Sequence, residues 1–392
     1  MLNVIDTLAK FNCIPKRLLP VVAGYIFFLT LITKRHSFRA ASVVVGLHES
    51  RFCTLLKDPM TPQLSKQILS RAVRRRLKRI KRVGGKIVVI IDSTLKARKS
   101  KNVQNVQRYH HGSGFALGHK FVNFVVLCED GIIPLESLPV FTKKYCKQER
   151  IKHFTEHAIV ESWIKEKAKD YFTESQLPEL LFLLDSGFDA KKVQHAIMDV
   201  GANFVMSLKS NRIINGKQVS TFFNDKRRWL PWTSIRLQVG SGQGKSRRRY
   251  SVRTATDAHL KGFGNVTVVC SRSESTRRRS MKYLATSDLE MTARQIVYWY
   301  AKRWSVETWH REIKQNYGFG DCHAQMFSAQ ESHVNFVLTA YVLQKQSRKN
   351  QFRIEEYMRV KDLEVIKREL TKFGSGVRLK TFVSEALQAV AA

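Results

Sequence analysis

Between Tyr298 and Tyr317 the chain reads YWYAKRWSVETWHREIKQNY. Wound as one helix at about 100° per residue, this stretch gathers Tyr300, Arg303, Glu307 and Lys314 within roughly 60° of one another. Trp299, Val306, Trp309 and Ile313 fall on the opposite side, so one face can anchor on a core while the other stays polar. The polar stripe holds one carboxylate, two cations and a phenol. A carboxylate there can ligate a metal, and its neighbours can grip phosphate oxygens. The plainer alternative is a solvated charged face on which Arg303 and Glu307 form an ordinary i,i+4 pair.

An acid of this kind needs partners, and two upstream strands deliver them. Residues 86–91, KIVVII, are β-branched and uninterrupted, which predicts a buried strand ending in Asp92-Ser93-Thr94. Residues 180–184, LLFLL, predict another, followed by Asp185-Ser186-Gly187-Phe188-Asp189, where Gly187 permits a tight turn into a helix from about 190 to 200. Strand ends are where α/β folds commonly place catalytic groups, although an Asp there is also an ordinary cap or turn former.

The chain has 392 residues, 43% of them hydrophobic, enough for two or three domains with real cores. Its formal charge of +36 points to a polyanion, with nucleic acid the first choice and an anionic membrane surface second. Cys13, Cys53, Cys128, Cys146, Cys270 and Cys322 include no CxxC pair, which fits reduced thiols in a cytosolic protein and argues against structural zinc. The apolar run from Leu18 to Thr33 is short and contains Pro20 and Gly24, so it reads as a buried helix rather than a membrane span or signal peptide.

Residues 1–82 read as helical. Within them, Ser37 to Phe52 have the spacing of helix, glycine turn and helix, which DNA-reading domains share with any αα-hairpin. The stretch RAVRRRLKRIKR at 71–82 has a thin apolar stripe at Val73, Leu77 and Ile80. With no acid nearby in sequence, a phosphate backbone is the best partner for Arg74, Arg75 and Arg76, ahead of solvent or a membrane. A basic loop is expected at Lys96, Arg98, Lys99 and Lys101, then a hairpin of 116–128 and 132–141 turning at Glu129-Asp130-Gly131. Residues 149–172 read as helix and include His153-Phe154-Thr155-Glu156-His157, an H-x-x-E-H spacing that could bind zinc with a third ligand. Residues 203–208 read as a short strand. From 211 to about 284, glycines at 240, 242 and 244, arginine clusters at 247–249 and 277–279 and alternating runs predict a β-rich insertion with basic loops. An apolar helix follows around 334–343.

The spacing Y-x2-R-x3-E-x6-K at Tyr300, Arg303, Glu307 and Lys314, with Asp92-Ser93-Thr94 and Asp185-Ser186-Gly187-Phe188-Asp189, resembles the insertion-sequence-4 family of bacterial DDE transposases. The resemblance runs from about Lys86 to Leu343. It implies an α/β fold with a ribonuclease-H-like catalytic core interrupted by a β-rich insertion; the helical segment before it matches no family motif, and its reading as a DNA-binding domain rests on charge alone. The expected units are 1–82 (DNA-binding), 83–210 and 285–346 (core), 211–284 (insertion) and 347–392 (basic tail). The resemblance further implies that Asp92, Asp185 and Glu307 are a catalytic triad, while Tyr300, Arg303 and Lys314 position a DNA end. Three converging acids stay ionised only around a cation, and oxygen ligation suits Mg²⁺ or Mn²⁺, with two ions expected. The implied partners are double-stranded DNA, as terminal inverted repeats and target, and a second copy of the chain on paired ends, in the bacterial cytoplasm at the nucleoid. A catalytically inactive derivative and a zinc peptidase using His153 and His157 are the competing classes.

Overall fold

The computed structural model describes residues 2–31, 36–111, 114–225, 230–239, 246–274 and 281–346. The arginines at 277–279, the glycines at 240, 242 and 244 and the tail from 347 lie outside them. Helices open the chain: α1 (Leu2–Ala9), α2 (Leu19–Leu31), α3 (Phe38–Val45), α4 (Glu49–Lys57) and α5 (Thr61–Leu77). Strands β1 (Ile87–Ala97), β2 (Gln107–His111), β3 (Gly114–Cys128) and β4 (Gly131–Pro139) follow, then helices α6 (Lys143–Gln148) and α7 (Glu156–Ser162). Next come β5 (Leu180–Leu184), α8 (Lys191–Asp199), β6 (Asn203–Leu208), β7 (Ile213–Ile214), β8 (Lys217–Gln218) and α9 (Val219–Asn224). The chain then runs through β9 (Thr233–Val239), β10 (Ser246–Leu260), β11 (Gly264–Ser273) and β12 (Lys282–Thr286) to α10 (Ala293–Arg303), α11 (Ser305–Asn316) and α12 (Phe327–Gln346).

All the described strands join one mixed sheet, ordered β2-β3-β1-β5-β6-β12-β11-β10-β7-β8, with β4 on β3 and β9 on β10. The centre is parallel: β1 pairs with β5, and β5 with β6. These are the apolar runs, buried because helices cover both faces. From β6 the sheet continues antiparallel through β12, so the β-rich strands extend the central sheet. The 247–249 arginines sit on strand β10, exposed, rather than in a loop.

The expected end of β1 at Asp92 is corrected. The strand runs on to Ala97 because β3 keeps pairing with it as far as Ala97↔Gly118, while the parallel neighbour β5 stops at Leu184 opposite Ile91. Lys96 therefore lies inside β1, 1% exposed, and not in a basic loop.

α12 is buried on nearly every side and is the post around which the helices gather. α2 and α5 pack on it. Tyr25 donates its hydroxyl to His333 Nδ1 at 2.8 Å, and Asn335 Nδ2 donates to Ser65 Oγ at 3.1 Å. α2 is buried along almost its whole length. Gly24 lets α3 approach, since a Cβ there would meet Val45 Cγ1 at 2.5 Å. No described helix is long and apolar enough to cross a membrane. The helix-turn-helix segment forms as α3 and α4, with Gly46 ending α3 in the left-handed region at φ 77°. α5 ends at Leu77, and two of the expected unpaired arginines have acids: Arg76 pairs with Asp130 and Arg82 with Glu179. Arg74 and Arg75 are exposed and make no ion pair with the described residues.

Lys96 Nζ has no hydrogen-bond partner among the described residues and lies 5.9 Å from the centre of the Phe319 ring. Burial, with Arg98 adding to it, lowers its pKa from 10.5 to about 7. Unfolding takes up a proton between pH 7 and 10.5, so stability rises with pH across that window, and the cost of the buried ammonium is complete below pH 7. Lys96→Met should therefore stabilise the protein by a few kcal/mol at pH 6 (roughly 5 as an upper bound, at 1.36 per pKa unit). The gain should shrink toward pH 10. Urea unfolding at pH 6, 8 and 10 measures both, and a variant less stable than wild type at pH 6 would refute the account.

Candidate active site

Asp92 and Asp185 reach one place through strand register. Each follows the last parallel pair, Ile91↔Leu184, so the two acids stand side by side, Asp92 within β1 and Asp185 just past the end of β5. Asp185 then caps a single 3-10 turn at Ser186–Phe188, its Oδ1 accepting from Gly187 N at 2.8 Å. A Cβ on Gly187 would meet that oxygen at 2.9 Å, so only glycine fits without displacing the carboxylate. The other acid of the motif, Asp189, points into the protein. It holds Arg212 Nε at 3.0 Å, Gln194 Nε2 at 3.1 Å and the Lys209 backbone N–H at 3.1 Å, which gives it a structural role.

The single helix expected from Tyr298 to Tyr317 is two. α10 ends at Arg303 and α11 begins at Ser305, with Trp304 between them, exposed and bonded through its N–H to Ala301 and Lys302 carbonyls. A capping box at Thr292 and Gln295 starts α10. The apolar face is as expected: Trp299, Val306, Trp309 and Ile313 are buried. The turn is shallow enough that Arg303 and Glu307 still meet across it, Nη2 to Oε1 at 2.8 Å.

Arg303 makes more than an ordinary surface pair. It is 7% exposed, and Nη1 lies 3.8 Å from Asp92 Oδ2, so one guanidinium stands between the acid of β1 and the acid of α11. Its pKa is raised: burial opposes the charge, but Asp92, Tyr300, Asp185 and Glu307 outweigh it. The Tyr300 ring lies 5.7 Å beneath the guanidinium and 5.3 Å from Lys282 Nζ. Lys314 is the exposed member of the stripe; desolvation lowers its amine and Asp92 opposes that shift. Arg74, Arg75 and Arg76 sit on α5 and are not brought into this group; Arg76 turns to Asp130 instead.

Burial pushes the Asp92 carboxyl up to about 7; Arg303 pulls it back, and Asp185 and Glu307 add to the rise. The donor set suits a hard dication, since three oxygen-bearing acids repel one another around a buried carboxylate that protein charges alone do not satisfy. The expected cluster around one cation is nonetheless not gathered: among the described residues no three His, Cys, Asp or Glu surround a common point, because Arg303 takes up Glu307.

Two residues escape sequence reasoning. His310, one turn beyond Glu307 on α11, lies with Nδ1 3.8 Å from Asp92 Oδ2, and its Nε2 accepts from Asn123 Nδ2 at 3.0 Å. Burial lowers its pKa to about 3, with Lys314 and Arg303 adding to the shift. The signals that could have found the pair are the i+3 spacing from Glu307 and a lone Asn within the apolar run of β3. The zinc reading fails locally: Thr155 caps α7, so His153 precedes the helix, while His157 donates to the Gly187 carbonyl at 2.7 Å and Glu156 pairs with Lys120.

If Arg303 neutralises Asp92 and Glu307 together, removing it strands buried negative charge. Arg303→Gln should lose on the order of 3 kcal/mol of unfolding free energy in EDTA, and adding Asp92→Asn should restore most of it. Urea denaturation of the two single variants and the double variant measures this; additive losses would contradict it.

Residues 166–343 match the family model described as the transposase DDE domain, a span of less than half of the 392-residue chain. No curated protein matches the chain. The match takes in Asp185 and Glu307 but begins after Asp92, which joins them through the pairing of β1 with β5. It supports a DDE transposase family for this protein.

Proposed function

We propose that the chain is a DDE transposase of the insertion-sequence-4 type, with a ribonuclease-H-like core, that cleaves insertion-sequence ends and joins them to target DNA. The observation that carries this reading is Asp92, set beside Asp185 by the pairing of β1 with β5 and joined to Glu307 by Arg303, in a chain whose residues 166–343 match a transposase DDE domain. The order β4-β3-β1-β5-β6, antiparallel then parallel, supports a ribonuclease-H-like core. On this reading Asp92 and Asp185 hold Mg²⁺ or Mn²⁺, with Glu307 joining them once Arg303 lets go. Two such ions, when bound, would supply activation of a water or 3′-hydroxyl and stabilisation of the leaving oxygen.

The chain's own residues do the positioning. Arg303 offers a planar fork that matches two phosphate oxygens, so a DNA phosphate can replace Glu307 as its partner. Tyr300 supports that fork from below and Lys314 adds a point charge at the rim. Arg74 and Arg75 present charge to the DNA backbone from the helical segment 1–82. The working assembly is a dimer of the chain on paired terminal inverted repeats, acting in the bacterial cytoplasm.

Incubation with Mg²⁺ and DNA carrying the element's own inverted repeats tests the reading. Wild type should nick and join the ends, whereas Asp92→Asn, Asp185→Asn and Glu307→Gln should bind DNA yet leave it uncut. Cleavage retained by Asp185→Asn rejects the assignment, and a wild type that binds without cutting would point to an inactive DNA-binding derivative. Arg303→Lys should impair end cleavage despite keeping the charge, since an ammonium cannot present two parallel donors. Affinity should fall steeply with salt, and Arg74→Ala with Arg75→Ala should flatten the log–log slope by about 0.9 for each phosphate no longer neutralised. An unchanged slope would mean that these two arginines do not touch the backbone.

A further inference from the structure

Asn123 and Asp92 face one another in the β1–β3 register, so their side chains rise from the same face of the sheet. Over that face lies α11, which brings His310 between them. Asn123 is fully buried, and its amide nitrogen, which can only donate, sits 3.0 Å from His310 Nε2. With the amide so placed, Nε2 presents its lone pair and the ring proton is left on Nδ1. That N–H stands 3.8 Å from Asp92 Oδ2, too long for a hydrogen bond and short enough for its dipole to favour one carboxylate orientation. Asn123 and His310 thus tie the helix bearing Glu307 to the strand bearing Asp92.

We propose that His310 is a positioning residue for Asp92, with Asn123 choosing the ring tautomer that aims Nδ1–H at the carboxylate. The inference rests on reading Asp92 as a metal-holding acid. It adds that the oxygen left for the ion is set from behind by a histidine, since a ligating carboxylate is itself oriented by the polar groups around it.

Two measurements test this without relying on DNA cleavage. In the wild-type protein labelled with ¹⁵N-histidine, long-range ¹H–¹⁵N correlation should show His310 as the Nδ1–H tautomer, and an Nε2–H tautomer would overturn the proposal. Mn²⁺ binding, followed by the decline of the free-ion electron paramagnetic signal, then separates positioning from packing. His310→Asn keeps an amide N–H near the place of Nδ1, whereas His310→Gln carries its amide to the place of Nε2. His310→Gln should weaken Mn²⁺ binding about tenfold, and His310→Asn should keep most of the affinity. Equal weakening in both variants, or none in either, would overturn the positioning role. Should wild type bind Mn²⁺ in this pattern yet leave inverted-repeat DNA uncut, the transposase reading fails and the positioning of Asp92 stands.

Discussion

Asp92 stands beside Asp185 on a buried sheet and across Arg303 from Glu307, and the rest of this site follows from how the repulsion felt by Asp92 is held in check. Asp92 suffers most, because it rises from a strand covered on both faces. Arg303 is the protein's own counter-charge, shared between β1 and α11. Such a bridge is a poor source of net stability, since a buried ion pair recovers in attraction roughly what it loses in hydration. Its value lies in keeping negative charge at a place where the apolar neighbours would otherwise favour protonation.

The scaffold around that charge is stiff for a reason visible in its packing. α12 is stable only when surrounded, and helices from the first 77 residues surround it. Several of the polar atoms it carries are matched individually, as at His333, whose Nε2 donates to the Gly318 carbonyl at 2.7 Å while Tyr25 occupies Nδ1. The loop holding Gly318 directly follows α11. Segments far apart in sequence therefore meet just behind the helix that carries Glu307.

Much of this is legible in the residues. Uninterrupted β-branched runs mark β1 and β5, and the 3.6-residue spacing of Trp299, Val306, Trp309 and Ile313 marks the buried side of α10 and α11. Where local pattern misleads, a long-range partner has overruled it. Lys96 looks like loop because lysines crowd around it, yet β3 extends far enough to hold it in the sheet. The break at Trp304 is invisible to a helical wheel, since no glycine or proline marks it. Arg76 and Asp130 are 54 positions apart, so a search for nearby acids could not pair them. The i+3 spacing of His310 from Glu307 and the lone Asn123 in an apolar run are visible in the residues, but only the register that sets Asn123 opposite Asp92 gives either a meaning.

The return of β12 to β6 has a consequence for how such chains can diverge. Every described strand between those two lies beyond β12 in the same sheet, so that part can grow or shrink while α10 still starts from the same point. The distance in sequence between Asp185 and Glu307 is then a loose ruler. The interval from Arg303 to Glu307 is a rigid one, because a single added residue would swing the carboxylate about 100° around the helix and away from Asp92. Insertions should therefore accumulate on the far side of β12 and stop abruptly at Thr292, where the first turn of α10 is locked by its cap.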